Sequence, residues 1–143
     1  DASVATLRRI DRLEFHGVAL TPGETLAFGW IGARPVLLLP GRLDAALAGW
    51  LIFGRPLLAK LCGSADQELD QDGAAPMLKL ARKVTSTIGM AEVVPVRRHG
   101  ENLEPLASGY LPLASLVSDG WILIPPQSEG HPAGTRVVLR PWP

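Results

Sequence analysis

Two Pro-Gly turns stand among the residues best able to do chemistry: Thr21-Pro22-Gly23-Glu24, and Pro40-Gly41-Arg42 followed by Asp44. Glycine lets a backbone come close to a ligand, and the amides that open a helix can receive an anion. Gly41 is suited to the first task, and Arg42 adds a cation at the same place. Asp44 and Glu24 oppose a highly charged anion. This arrangement suits binding along a phosphate or pterin-phosphate edge, with no obvious general base. Pro-Gly also serves as a plain turn in chains that bind nothing there.

Other chemistry has no motif. His16, His99 and His131 are far apart, none is paired on one helix turn, and Cys62 is the only cysteine. There is no G-x-S-x-G elbow and no complete G-x-x-x-x-G-K-[ST] loop. Asp66, Glu68, Asp70 and Asp72 lack the glycine and terminal glutamate of an EF-hand loop and read as a solvated acidic linker. Trp30, Trp50, Trp121 and Trp142 have no basic pattern around them, so most should pack in cores or at an interface.

The elements that must position the turns belong to a globular chain of 143 residues, 47% hydrophobic and 20% charged. Its 14 basic and 14 acidic residues cancel, which argues against nucleic acid as the principal partner. Cys62 cannot form an internal disulfide and is expected to pack at a helix end. Charged or helix-breaking residues interrupt every long apolar run, and no basic leader precedes one. The expectation is therefore a cytoplasmic chain with no membrane span.

Val4, Leu7 and Ile10 mark a short first helix, and "RLEFHGVAL" a strand that Pro22 and Gly23 end. "LAFGWI" and "PVLLLP" form a hairpin around Gly32-Ala33-Arg34. The unbroken Val36 to Leu39 run predicts burial on both faces, as in a layered α/β body. Asp44 is expected to cap the next helix, whose face gathers Leu47, Leu51, Phe53, Leu58 and Leu61. Pro56 should kink that helix or start a new turn. Residues 63–75, polar and acidic, predict a linker between a domain at 1–62 and another at 76–143. Turn signals at Gly89, Gly100, Gly109, Gly120, Gly130 and Gly134 separate short strands in the second part and suggest a small β-barrel or sandwich.

The segments "FHGVALTPGETLAFG", "RPVLLLPGRLDAALAGWLIFGRPLLAKLCG", "KVTSTIGMAEVVPV" and "SLVSDGWILIPPQSEGHPAGTRVVL" occur in an order that resembles the C-terminal part of the molybdopterin molybdenumtransferase family, whose eukaryotic relative is the gephyrin E domain. The resemblance covers nearly all 143 residues. It implies the end of a molybdopterin-binding α/β domain up to about residue 62, followed by a C-terminal β-barrel-like domain. It also implies molybdopterin and molybdate as substrates, magnesium as a cofactor, adenylylated molybdopterin as the form that receives molybdenum, and a homodimer.

At the turns the chain departs from the family pattern. Thr21 and Glu24 stand where the family's K-P-G-K-P-like turn has lysines, and Arg42 and Ala45 replace the Asn and Ser of P-G-N-P-V-S. The family's earlier glycine-rich and aspartate-containing loops have no counterpart here. The resemblance thus implies a portion of a longer protein that does not catalyse alone, with Thr21, Pro22, Gly23, Glu24, Gly41, Arg42 and Asp44 shaping one side of a pterin-phosphate site. The alternative is a non-catalytic pterin-binding or assembly module.

Overall fold

The computed structural model describes residues 2–64, 75–106 and 117–142. Helix α1 (Ala2–Ile10) lays Val4 and Leu7 into the core, while Ile10 remains 59% exposed. Strands β1 (Leu13–His16), β3 (Ala27–Ile31) and β4 (Arg34–Leu38) make an antiparallel sheet in the order β1-β3-β4. The short β2 (Leu20–Thr21) leaves this sheet and pairs elsewhere. Gly29 holds α1 against the sheet, because a Cβ there would lie 2.9 Å from Leu7 Cδ2. The predicted hairpin forms, with Gly32 at φ +59° and its amide donating to Asp11 Oδ2 at 2.6 Å.

Three expectations for this part are corrected. Val36 to Leu38 are half-buried and Leu39 is 40% exposed, because β4 is an edge strand and an open cleft remains between α1 and Val36 and Leu38. The long helix is three pieces: α2 (Leu43–Gly49), a π-helical turn (Trp50–Gly54) and α3 (Arg55–Leu61). Pro56 has no amide for the Ile52 carbonyl, and the Arg55 amide reaches back five residues to the Trp50 carbonyl. The inserted residue rotates the following face by about 100°. Leu51 is consequently buried, whereas Leu58 and Leu61 are 50% and 61% exposed. Cys62 follows α3 and is exposed rather than packed.

The second part contains β5 (Met77–Leu80), β6 (Val84–Thr85), β7 (Ala91–His99), β8 (Asn102–Pro105), β9 (Gly120–Ile124), β10 (Gly130–His131) and β11 (Arg136–Val138). The long central strand β7 organises them. It pairs with β9 along one edge, and with β2 and then β8 along the other. Pro95 is tolerated because it stands where the β8 ladder ends, its carbonyl accepting from the Leu106 amide at 2.9 Å.

The expected β-barrel-like domain is not formed. The six strands make an open sheet, ordered β11-β5-β8-β7-β2 with β9 on β7, and no ladder among the described residues closes it. β9 meets the end of the chain at one isolated bridge, Trp121 to Arg140. The next residue, Pro141, has no amide with which to continue that pairing. The mixed α/β character stands, built on sheets that remain open.

Leu80, Val96, Leu103, Ile122 and Ile124 centre one apolar cluster within the large sheet. A second joins Leu20, Ala48 and Leu51 to Val93 and Trp121, so α2 and the first Pro-Gly turn are seated on β7 and β9. The acidic stretch at 65–74 and the segment 107–116, which includes the end of the predicted "LEPLAS" strand, lie outside the described residues. No helix among the described residues is long and apolar enough to cross a membrane.

Candidate functional site

The structure brings the two Pro-Gly turns together. The first is anchored through β2, which runs parallel to β7 with Leu20 beside Ala91 and Thr21 beside Glu92. The Thr21–Pro22 peptide is cis, and Gly23 adopts φ +136°. A Cβ on Gly23 would meet Leu20 Cδ2 at 3.0 Å and lie 3.6 Å from the Ala45 carbonyl oxygen. Buried Gly23 is therefore the contact between the first turn and α2. The Leu26 amide donates to the Gly23 carbonyl at 3.1 Å, and the Val18 amide donates to the Glu24 carbonyl at 3.0 Å, closing the loop.

Gly41 differs from Gly23 despite the matching dipeptide. It is exposed and a Cβ there would meet nothing within 4 Å. Arg42 is the N-cap residue of α2, with extended backbone at φ −76° and ψ 133°. Asp44 lies inside the first turn, so the expected capping arrangement is corrected: its Oδ1 accepts from the adjacent Ala45 amide at 2.8 Å. The extended Arg42 backbone lets its guanidinium fold over this turn. Nε donates to Asp44 Oδ1 at 3.2 Å and Nη2 to Asp44 Oδ2 at 2.5 Å, a two-point fork.

Glu24 satisfies its own loop. Its two oxygens accept from the Thr21 hydroxyl at 2.9 Å and from the Gly23 amide at 3.1 Å. Burial pushes the Glu24 carboxyl up, but the bonds from its own backbone amide, Gly23 and Thr21, with the charge of Arg42, hold it below its ordinary value. The Arg42 hydrogen bonds hold Asp44 below the ordinary carboxylate range. Burial opposes that shift, and the Ala45 amide and the Arg42 charge add to it. Both groups are anions at neutral pH.

Thr21, Pro22, Gly23, Glu24, Arg42 and Asp44 thus form one cluster, with Gly41 at its open side. Its one guanidinium is engaged by a carboxylate, and Glu24 adds a second negative charge. Sequence reasoning missed Glu92, which the parallel register sets beside Thr21 from far along the chain. A pairing of that range leaves no local sequence signal. The cluster's side chains offer hydrogen-bond donors to an anion only through exchange of existing partners.

The residues present do not fit magnesium. No group of three or more metal-ligating side chains occurs among the described residues, and the oxygens of Glu24 and Asp44 already accept internal donors. His16, His99 and His131 lie on β1, β7 and β10 and do not converge on the turns.

No family model matches the chain. A Methanocaldococcus jannaschii protein named for molybdopterin biosynthesis is 31% identical over 139 residues, which is 96% of this chain and 32% of that protein. A molybdopterin biosynthesis MoeA protein from Pyrococcus horikoshii superposes with a TM-score of 0.77 at 24% identity, covering 97% of this chain and 34% of its own. A molybdenum cofactor biosynthesis protein from Pyrococcus furiosus gives a TM-score of 0.70 at 23% identity, covering 90% of this chain and 45% of its own. The solved structures share the fold, and the chain spans about a third of the curated relative's length. The chain is thus similar in sequence to a protein named for molybdopterin biosynthesis and similar in fold to the two Pyrococcus proteins.

Proposed function

We propose that this chain is the C-terminal portion of a molybdenum cofactor biosynthesis protein of the molybdopterin molybdenumtransferase kind, related in turn to the gephyrin E domain. The observation that carries the reading is the 31% identity sustained over 139 residues. The fold shared with the Pyrococcus proteins supports it. In this reading the parent protein works in the cytoplasm as a homodimer and inserts molybdenum from molybdate into adenylylated molybdopterin. Residues 1–62 complete the pterin-binding domain, 63–75 link, and 76–143 form the C-terminal domain, whose open sheet also takes in β2 of the first part.

This chain contributes position rather than a nucleophile. Gly41, open on its outer side, lets a phosphate approach the backbone, and Arg42 can exchange its Asp44 fork for two phosphate oxygens. Gly23 sets the distance between the two turns. Holding the pterin phosphate fixes the distant dithiolene relative to incoming molybdate, which is catalysis through orientation. The residues described here supply no magnesium site.

A second reading is a pterin-binding or assembly module without metal insertion. The observation favouring it is the anionic balance of the cluster, where Glu24 and Asp44 outnumber Arg42. One experiment separates the readings. The intact parent is incubated with adenylylated molybdopterin, molybdate and magnesium, and both molybdenum cofactor yield and retained pterin are measured. Cofactor formation supports the enzyme; retained pterin without molybdenum supports the binding module. Neither, with a folded dimer, refutes both.

A further inference from the structure

We propose a second binding site, for a small protonated oxyanion, in the cleft bordered by the paired strands β6 and β10. The cleft has a volume of about 390 Å³, and Lys83, Thr85, Ser86, Glu129 and His131 line it. This lies in the size range of small-ligand sites. None of these residues belongs to the Pro-Gly cluster, so the proposal is independent of the function proposed above.

The first observation is Ser86. Its Oγ is the buried side-chain polar atom without a hydrogen-bond partner among the described residues. A buried hydroxyl normally finds a partner, since leaving it unpaired is unfavourable. No hydrogen bond holds the Ser86 rotamer, so turning χ1 toward the cleft breaks none. Its backbone is fixed independently, the Ser86 amide donating to the Glu129 carbonyl at 2.9 Å.

The second observation is the pairing of opposite charges without an ion pair. Neither Lys83 nor Glu129 has a salt-bridge partner among the described residues, although both line this cleft. Lys83 and the Thr85 and Ser86 hydroxyls supply donors for an oxyanion. Glu129 is an acceptor and repels a fully ionised one. An oxyanion that keeps an O–H satisfies both sides, because that hydroxyl donates to the carboxylate while its other oxygens accept. Inorganic phosphate keeps an O–H at neutral pH, a phosphomonoester keeps one once it is protonated near its second pKa of about 6, and sulfate has none.

The backbone holds these walls together. Thr85 pairs with Gly130 and Val84 with His131, and Gly130 has φ +114° with no room for a Cβ beside the Val84 carbonyl. Ser128 Oγ donates to the Gly130 carbonyl at 2.6 Å and accepts from the Gly130 amide at 3.1 Å, fixing the turn that carries Glu129.

The test is amide NMR titration of the whole chain with inorganic phosphate, sodium sulfate and glycerol 3-phosphate, at pH 6.5 and constant ionic strength. Saturable shifts at residues 83–88 and 128–132 with phosphate, and none with sulfate, are expected. Lys83→Ala and Ser86→Ala should each weaken phosphate binding about tenfold, the size of a lost charge-assisted hydrogen bond. Glu129→Gln should admit sulfate. Tighter binding of glycerol 3-phosphate assigns the site to a phosphomonoester, and tighter binding of phosphate to the free anion. Equal binding of sulfate and phosphate by the unaltered chain, affinity unchanged in both alanine variants, or no saturable shift would overturn the proposal. Thermal melts of the variants establish that each remains folded.

Discussion

Gly23 and Gly41 occupy the same place in the same dipeptide, yet replacing each with alanine should have very different effects. Gly23 has φ +136°, a backbone conformation that side chains with a Cβ rarely adopt. Such local strain costs about 1–3 kcal/mol. The nearest atom to a new Cβ is Leu20 Cδ2 at 3.0 Å, the end of a side chain only 2% exposed, so a small added packing penalty follows. A total near 2 kcal/mol lowers the melting temperature of a chain this size by about 6 °C, at roughly 3 °C per kcal/mol. Gly41 has open space and no left-handed backbone, so Gly41→Ala should stay within about 0.5 kcal/mol. Circular dichroism melts of the two variants beside the unaltered chain provide the comparison. Equal shifts would refute the claim that only the first turn requires glycine for folding. A neutral Gly41→Ala melt combined with weakened phosphate-ester binding by the parent would locate the role of Gly41 at a ligand.

Arg42→Ala should raise the carboxyl pKa of Asp44 toward its ordinary 3.8, with a smaller rise at Glu24, as read by carbon-detected NMR titration. Both folded-state values lie below the ordinary ones, so their stabilising contribution is present above the unfolded values and fades as pH falls through the folded ones. Acid melts below about pH 4 should therefore show a weaker pH dependence in Arg42→Ala. Cys62 is exposed and should react fully with a thiol reagent in the native state; reaction only after denaturant would place it in a core. Trp142→Phe removes the Nε1 donor to Ser118 Oγ at 2.9 Å and should cost about 1 kcal/mol by chemical denaturation, whereas no change would show that this bond contributes nothing net.

How far these features could be read from sequence follows the range of the interactions. The hairpin between β3 and β4 was legible because its turn is local, two residues long and begins with glycine. Pro56 disclosed a break in the helix, since a missing amide is a local fact. It did not disclose a π-helical turn, and the one-residue insertion displaced Leu58 and Leu61 from the predicted face. Turn spacing located most of the later strands but carried no information on closure, which depends on pairing between distant edges. There the described residues offer one bridge at Trp121 and then a proline. The Val36 to Leu39 run revealed an apolar strand, while its covering layer depends on residues beyond its own neighbourhood.

At the candidate site the residues were legible and their partnerships were not. Asp44 lies two positions after Arg42, a spacing that does not face one side of a helix. The two meet because Arg42 is still extended and its guanidinium folds forward over the first turn. This changes what the substitutions relative to the family pattern mean. A free arginine would offset the absence of lysines at Thr21 and Glu24; an arginine forked on aspartate must exchange one anion for another. Two hydrogen bonds are surrendered as two form, so the guanidinium contributes little net attraction unless the incoming phosphate carries more charge than Asp44. Glu24, held as an anion by its own loop, then opposes that extra charge. Under the proposed function, phosphate binding by the parent would therefore need its main cation from outside this cluster, with the two turns setting where the ligand sits.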